Sequence, residues 1–286
     1  MKNKIIQFIR TGEDLDGTIG TSVSLANSLD MELKLFMVLE SRHTFFYPMT
    51  SPLKTGLASY EFEKIREERL KEEDKRLGEY VEKKNKEGKS PTISFEIRSG
   101  ATDLVLLDVS EEDDTYMIVI NEADEPELGF IINTYLQIIE KTGCPLLKVN
   151  KDLKFPEIDK VLYATDYLEE DVPTLKKLAD MMAPFKANIT ALHITDSLDL
   201  EEKLKSHGFE SSLHEKVGYD RIRFAVREEK KAYKGVMDYA QSEGFDLIVV
   251  LKENRNFLQR MFTKSDSNRI LSKSEIPVMV FHQGNA

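Results

Sequence analysis

The chain has 286 residues, more than one ordinary domain and enough for two, and its 32% charged and 41% hydrophobic residues exclude a mainly disordered state. A formal charge of -11, with no run of Lys and Arg, repels a phosphate backbone and excludes nucleic acid as a partner. No apolar stretch reaches the roughly 18 residues of a membrane span, and the first ten residues lack the apolar core and cleavage site of an export signal, so a soluble cytoplasmic protein is expected.

Residues 5–9 open the chain as an apolar strand ending at Arg10, followed by a helix whose buried side is read as Ile19, Val23, Ala26 and Leu29. A strand over 32–39 leads into an insertion over 45–57. Next comes a Glu- and Lys-rich helix over 60–86, with Phe62, Ile65, Leu70, Leu77, Tyr80 and Val81 as its apolar side. Residues 93–97 alternate as a strand, 117–120 form a continuous apolar run, and Cys144-Pro145-Leu146-Leu147-Lys148-Val149 closes the first half. The single cysteine, Cys144, is expected to act as a small buried hydrophobe. Residues 151–158, polar and interrupted by Pro156, have neither period and read as a linker.

The same grammar then repeats. Residues 160–165 form an apolar strand, Pro173 stands near a helix start, and Leu175, Leu178, Ala179 and Met182 share one helical face. Strand 188–195, helix 200–215, strand 221–226 and helix 229–243 follow. The run 245–251 has the pattern of a parallel strand buried on both faces, and Ile276-Pro277-Val278-Met279-Val280 ends this half as Cys144-Pro145 ends the first. The expected fold is α/β: two tandem doubly wound domains, 1–150 and 151–286, each a five-stranded mainly parallel sheet flanked by helices. Their final strands, 146–149 and 278–281, are expected to pair with each other, since bare apolar edges invite pairing, which would make an internal pseudo-dimer of the two domains.

Ligands of such sheets sit beyond the carboxyl ends of the strands. There the second half offers Ala164-Thr165-Asp166, then Leu192-His193-Ile194, and Val250-Leu251 before Lys252-Glu253-Asn254-Arg255. With Asp246-Leu247-Ile248-Val249 and the segment 265–280, these residues resemble the universal stress protein family, most closely over 160–195 and 245–281. The first half resembles it in element order and in its Cys144-Pro145 ending. In nucleotide-binding members the resemblance implies an acidic residue after the first strand, for adenosine. It also implies a G-x2-G-x9-G-[ST] loop after the fourth, for phosphates. Glycines let the backbone approach closely and turn its amides on the anion.

Here Asp166 matches the acidic position, Leu251, Asn254 and Lys264 stand where the three glycines would be, and Ser265 where the Ser/Thr would be. The resemblance thus implies that Asp166, Asn254 and Ser265 are a remnant of a cofactor-binding site. In the first half Arg10 replaces the acidic residue, and Glu122, Asp124, Glu125 and Glu127 lie near the one glycine of the loop region, Gly129, where carboxylates repel phosphates. Asp166 is read either as a strand-end or N-cap residue or as a ligand contact. Lys252, Arg255 and Lys264 offer an alternative hold on an anion, and Phe257, Leu258, Met261 and Phe262 form a core or dimer stripe.

Signs of catalysis are lacking in the sequence. His43, His193, His207, His214 and His282 are scattered without metal spacing, and His193, within an apolar strand, is read as a satisfied core histidine. No nucleophile elbow, P-loop or dinucleotide fingerprint occurs. The reading is a non-enzymatic, universal-stress-protein-like regulatory or interaction protein of the stress response, with degenerate nucleotide sites and no cofactor or metal. It would act through protein partners or self-association. The alternative is a sensor whose second domain binds an adenine nucleotide, ATP or AMP, weakly, or another anion.

Overall fold

The structure is a computed structural model that describes residues 3–40, 55–88, 91–112, 114–121, 144–149, 158–252 and 274–282. It divides into two compact units, Met1–Thr115 and Tyr116–Ala286.

The first unit contains β1 (Lys4–Ile9), α1 (Leu15–Leu29), β2 (Glu32–Glu40), α2 (Thr55–Glu87), β3 (Ile93–Gly100) and α3 (Thr102–Ser110). Its strands lie in the order β3-β2-β1, all parallel, with Phe8 beside Phe36 and Phe36 beside Glu96. Helix α1 buries Leu15, Ile19, Leu25 and Ala26, while Val23 and Leu29 are only half-buried, so its inward face is rotated from the expected one. The buried Ser22 makes that rotation possible: its hydroxyl donates to Gln7 Oε1, and Gln7 Nε2 donates to the Phe8 carbonyl at 2.7 Å, which satisfies a polar pair inside the core. Helix α2 departs from expectation in the same way. Leu77 and Val81 are buried, but Ile65 and Leu70 are 48% and 37% exposed, and among the described side chains of the helix burial begins at Glu73.

The second unit contains β4 (Thr115–Asn121), β5 (Leu146–Val149), β6 (Lys160–Ala164), α4 (Asp171–Met182) with a short 3-10 turn, β7 (Asn188–Thr195), α5 (Leu200–Lys216), β8 (Ile222–Glu228), α6 (Ala232–Glu243), β9 (Leu247–Lys252) and β10 (Val278–His282). Strand order is β4-β5-β10-β9-β6-β7-β8. Neighbours run parallel except β5 and β10, which pair antiparallel with Leu147 opposite Met279 and Leu146 opposite Val280. The two apolar closing strands therefore pair with each other, as their exposed-edge chemistry requires. That pairing draws β4 and β5 into the second unit, whereas the boundary near residue 150 follows the repeat of elements. Cys144, just before β5, is 1% exposed and packs as a small apolar residue.

Strands β8-β7-β6-β9-β10 form a doubly wound arrangement in which the chain leaves β6 first toward β7 and later returns to its other side as β9. The carboxyl end of β6 is therefore the topological switch point, where such sheets open a crevice. Right-handed crossovers place helices over both faces, which is why β6 and β9 read as unbroken apolar runs. Among the described residues no helix is long and apolar enough to cross a membrane.

Candidate functional site at the strand ends

The loop leaving β6 is organised by a buried carboxylate. Asp171, the first residue of α4, is 1% exposed and accepts hydrogen bonds from the hydroxyls of Tyr163 and Thr165, both at 2.6 Å, and from the Leu168 amide at 3.0 Å. Burial pushes its carboxyl above the usual range, and these hydrogen bonds, with one from the Asp166 amide, pull the other way without cancelling it. The Thr165 hydroxyl also accepts from the Tyr167 amide at 3.1 Å. The loop is thereby closed tightly enough to hold Tyr167 at φ 63, a left-handed conformation uncommon for a residue with a bulky side chain.

That conformation aims the Tyr167 ring across the ends of β7 and β8. It stacks on His193 with centroids 4.1 Å apart and meets Phe209 of α5 at 5.2 Å and Phe224 of β8 at 5.8 Å. Its hydroxyl donates to Glu202 of α5 at 2.6 Å; burial, then this hydrogen bond, raises the phenol far above its usual pKa and keeps it a neutral donor. His193 Nδ1 donates to the Thr165 carbonyl at 2.8 Å, which fixes the tautomer and leaves Nε2 facing Glu202 Oε1 at 3.8 Å. As expected for a strand histidine, it is partnered, though half-buried and beside carboxylates.

Asp166 sits at the switch point with its side chain 35% exposed and Oδ1 3.7 Å from His193 Nδ1. Asn254 and Ser265, the other two expected site residues, lie outside the described residues, as do Arg255, Lys264 and the stripe from Phe257 to Phe262. Leu251, at the first glycine position, is a β9 residue in register with Phe281 and only 2% exposed. Sequence reading missed Tyr167, Asp171 and Glu202. A tyrosine after an acidic strand end carries no periodic signal, and Glu202 belongs to a helix whose apolar residues point in two directions.

In the first unit the end of β1 is filled by charge. The Arg10 amide donates to Glu13 Oε2 at 2.8 Å, and the Gly12 amide, at φ +71, donates to Glu73 Oε1 of α2 at 3.0 Å. Arg76 donates to Glu73 Oε2 at 2.7 Å and to the Glu13 carbonyl at 2.8 Å. Two of the chain's own carboxylates thus occupy the amides of this turn. Among the described residues no group of three or more His, Cys, Asp and Glu side chains forms a metal-binding set.

Comparison with known proteins agrees with this fold. Residues 157–282 match the universal stress protein family. The whole fold is similar to that of a universal stress protein from Archaeoglobus fulgidus DSM 4304, at 13% identity and a TM-score of 0.68, covering 98% of this chain and 97% of that one. It is also similar to a putative universal stress protein from Pseudomonas aeruginosa UCBPP-PA14, at 13% identity and a TM-score of 0.57, covering 98% and 93%. The cytoplasmic domain of a prokaryotic cation chloride cotransporter shares the fold at 10% identity and a TM-score of 0.52, covering 100% and 98%. No curated protein matches the chain in sequence. Residues 157–282, which carry β6 to β10, are thus the part of the chain that is similar in sequence to the universal stress protein family.

Proposed function

We propose that this protein is a cytoplasmic, non-enzymatic regulatory or interaction protein of the stress response whose nucleotide sites have degenerated. In this reading it carries no cofactor, and its repeats, 1–150 and 151–286, act as an internal pseudo-dimer that works through protein contacts. The observation that carries the reading is the placement of Tyr167: it leaves the end of β6, the switch point, and its ring covers the adjoining ends of β7 and β8, which narrows the space open to a ligand on that side. Leu251 adds to it, because a buried strand residue in place of a glycine offers neither close backbone approach nor a phosphate-facing amide nest. At the end of β1, Glu13 and Glu73 already hold the turn amides and repel phosphate.

Asp166 alone supplies hydrogen bonds of about 0.5–1.5 kcal/mol net each, against an association cost of roughly 4–15 kcal/mol. Isothermal titration with Mg-ATP is therefore expected to give a Kd no tighter than about 0.1 mM. Mass spectrometry of small molecules released from the purified protein should find no stoichiometric nucleotide. The exposure of Asp166 favours the second reading, a sensor of an adenine nucleotide or another anion. A micromolar Kd that Asp166→Ala abolishes would install that reading instead.

A further inference from the structure

Helix α5 presents leucines on two opposite sides. Toward the sheet it buries Phe209 and Leu213, whereas Leu200 and Leu204, one turn apart, are 73% and 67% exposed. At about 100° per residue the second pair points away from the first. Leu198, just before the N-cap Asp199, is a further exposed leucine at 43%. Single exposed leucines are ordinary, but neighbouring ones on one helical face mark a contact surface. Beside them, Glu201 and Lys205 form an exposed ion pair at 2.6 Å across one turn of the same flank.

We propose that this face is a self-association surface on which a second copy of the chain lays its own α5 antiparallel, about a twofold axis near residues 202 and 203. In that register Leu200 of each copy packs on Leu204 of the other, as an isologous interface requires. Antiparallel helices bring like flanks together, so Glu201 of each copy lies beside Lys205 of the other. The two intrahelical pairs then merge into a four-charge network. The flank is thus complementary to itself and not to a partner of uniform charge, which is why the occupant is another copy. Three leucines bury less than the roughly 1,200–2,000 Å² of a stable interface, so the dimer is weak and concentration-dependent. The proposal rests on the interaction role inferred above. Nucleotide titration tests that role's degenerate site, while association is read separately.

Sedimentation velocity on the full chain, over a concentration series at low salt, tests the surface. The wild-type chain is expected to dimerise with rising concentration, and Leu204→Glu to weaken dimerisation at least about tenfold with unchanged thermal unfolding, since the side chain it replaces is exposed. Glu201→Lys and Lys205→Glu should each weaken self-association about threefold or more. An equimolar mixture of those two variants should associate again, because each offers the sign that the other lacks. A wild-type chain that stays monomeric to its solubility limit would overturn the proposal and leave the leucines to an unlike protein. A dimer untouched by Leu204→Glu, or a mixture no stronger than its components, would overturn it as well.

Discussion

The ring of Tyr167 lies on that of His193, 4.1 Å between centroids and 27° from parallel, and this stack joins the loop after β6 to the sheet. Through its hydroxyl on Glu202 the same side chain also holds α5. Tyr167→Ala should therefore cost about 3 kcal/mol, the low end of the range for a packed aromatic side chain, since the residue is half-buried. Tyr167→Phe, which loses only the hydrogen bond, should cost about 0.5–1.5 kcal/mol. Tyr167→Gly should fall between them, because glycine adopts the left-handed backbone without strain. Urea unfolding of the three variants gives the ranking; an alanine variant as stable as the glycine one would show that φ 63 carries no strain.

Gly235 of α6 faces Ile194 of β7 so closely that an added Cβ would lie 2.8 Å from Ile194 Cδ1 and 3.0 Å from Cγ2. In an open helix Gly→Ala stabilises by about 1 kcal/mol. Here overpacking, typically about 1–3 kcal/mol, opposes it. Gly235→Ala alone should be net destabilising, and pairing it with Ile194→Ala should recover the helix-propensity gain. Thermal unfolding of the single and double variants measures the coupling, and simple additivity of the two changes would exclude the steric contact.

The sequence of strands and helices from β6 to β10 and their parallel sheet were legible because continuous apolar runs at βαβ spacing leave few alternatives. The pairing of Leu147 with Met279 was legible too, since both closing strands expose apolar edges. Helix faces were less so. Ser22 is polar yet buried because Gln7 answers it across the core, a partnership between positions fifteen residues apart that no window of periodicity reveals. Ile65 and Leu70 were read with Leu77 and Val81 as one apolar side from helical spacing, but they are exposed, because spacing along a long helix does not say which of its turns lie against a neighbour. Beyond β6, the position of Asp166 just after the strand end was legible from the apolar run that precedes it. Tyr167 was not, because a left-handed tyrosine is imposed by Asp171 and Thr165 rather than by any local propensity.

Asp171 provides a test in pH. Its carboxyl is held above the ordinary carboxylate value because burial disfavours the charge more than the surrounding hydrogen bonds favour it. In the window between the unfolded value, about 3.9, and the raised native value, the native state binds more protons than the unfolded chain. The slope of stability against pH is then negative there. The stability tied to this proton is complete below the unfolded value and is lost as pH rises through the native one. Asp171→Asn is neutral at every pH and keeps one acceptor oxygen, so it should lose one or two hydrogen bonds of about 0.5–1.5 kcal/mol each. Asp171→Ala should cost more, since the buried hydroxyls of Tyr163 and Thr165 lose their acceptor, at about 1–3 kcal/mol per unsatisfied group. Urea unfolding of wild type and Asp171→Asn between acid and neutral pH should show the wild-type advantage greatest in acid, shrinking through the window and then level. An advantage that instead grows with pH would mean that the amides of Leu168 and Asp166 and the two hydroxyls stabilise the anion more than burial opposes it, and that the loop is held by a charge.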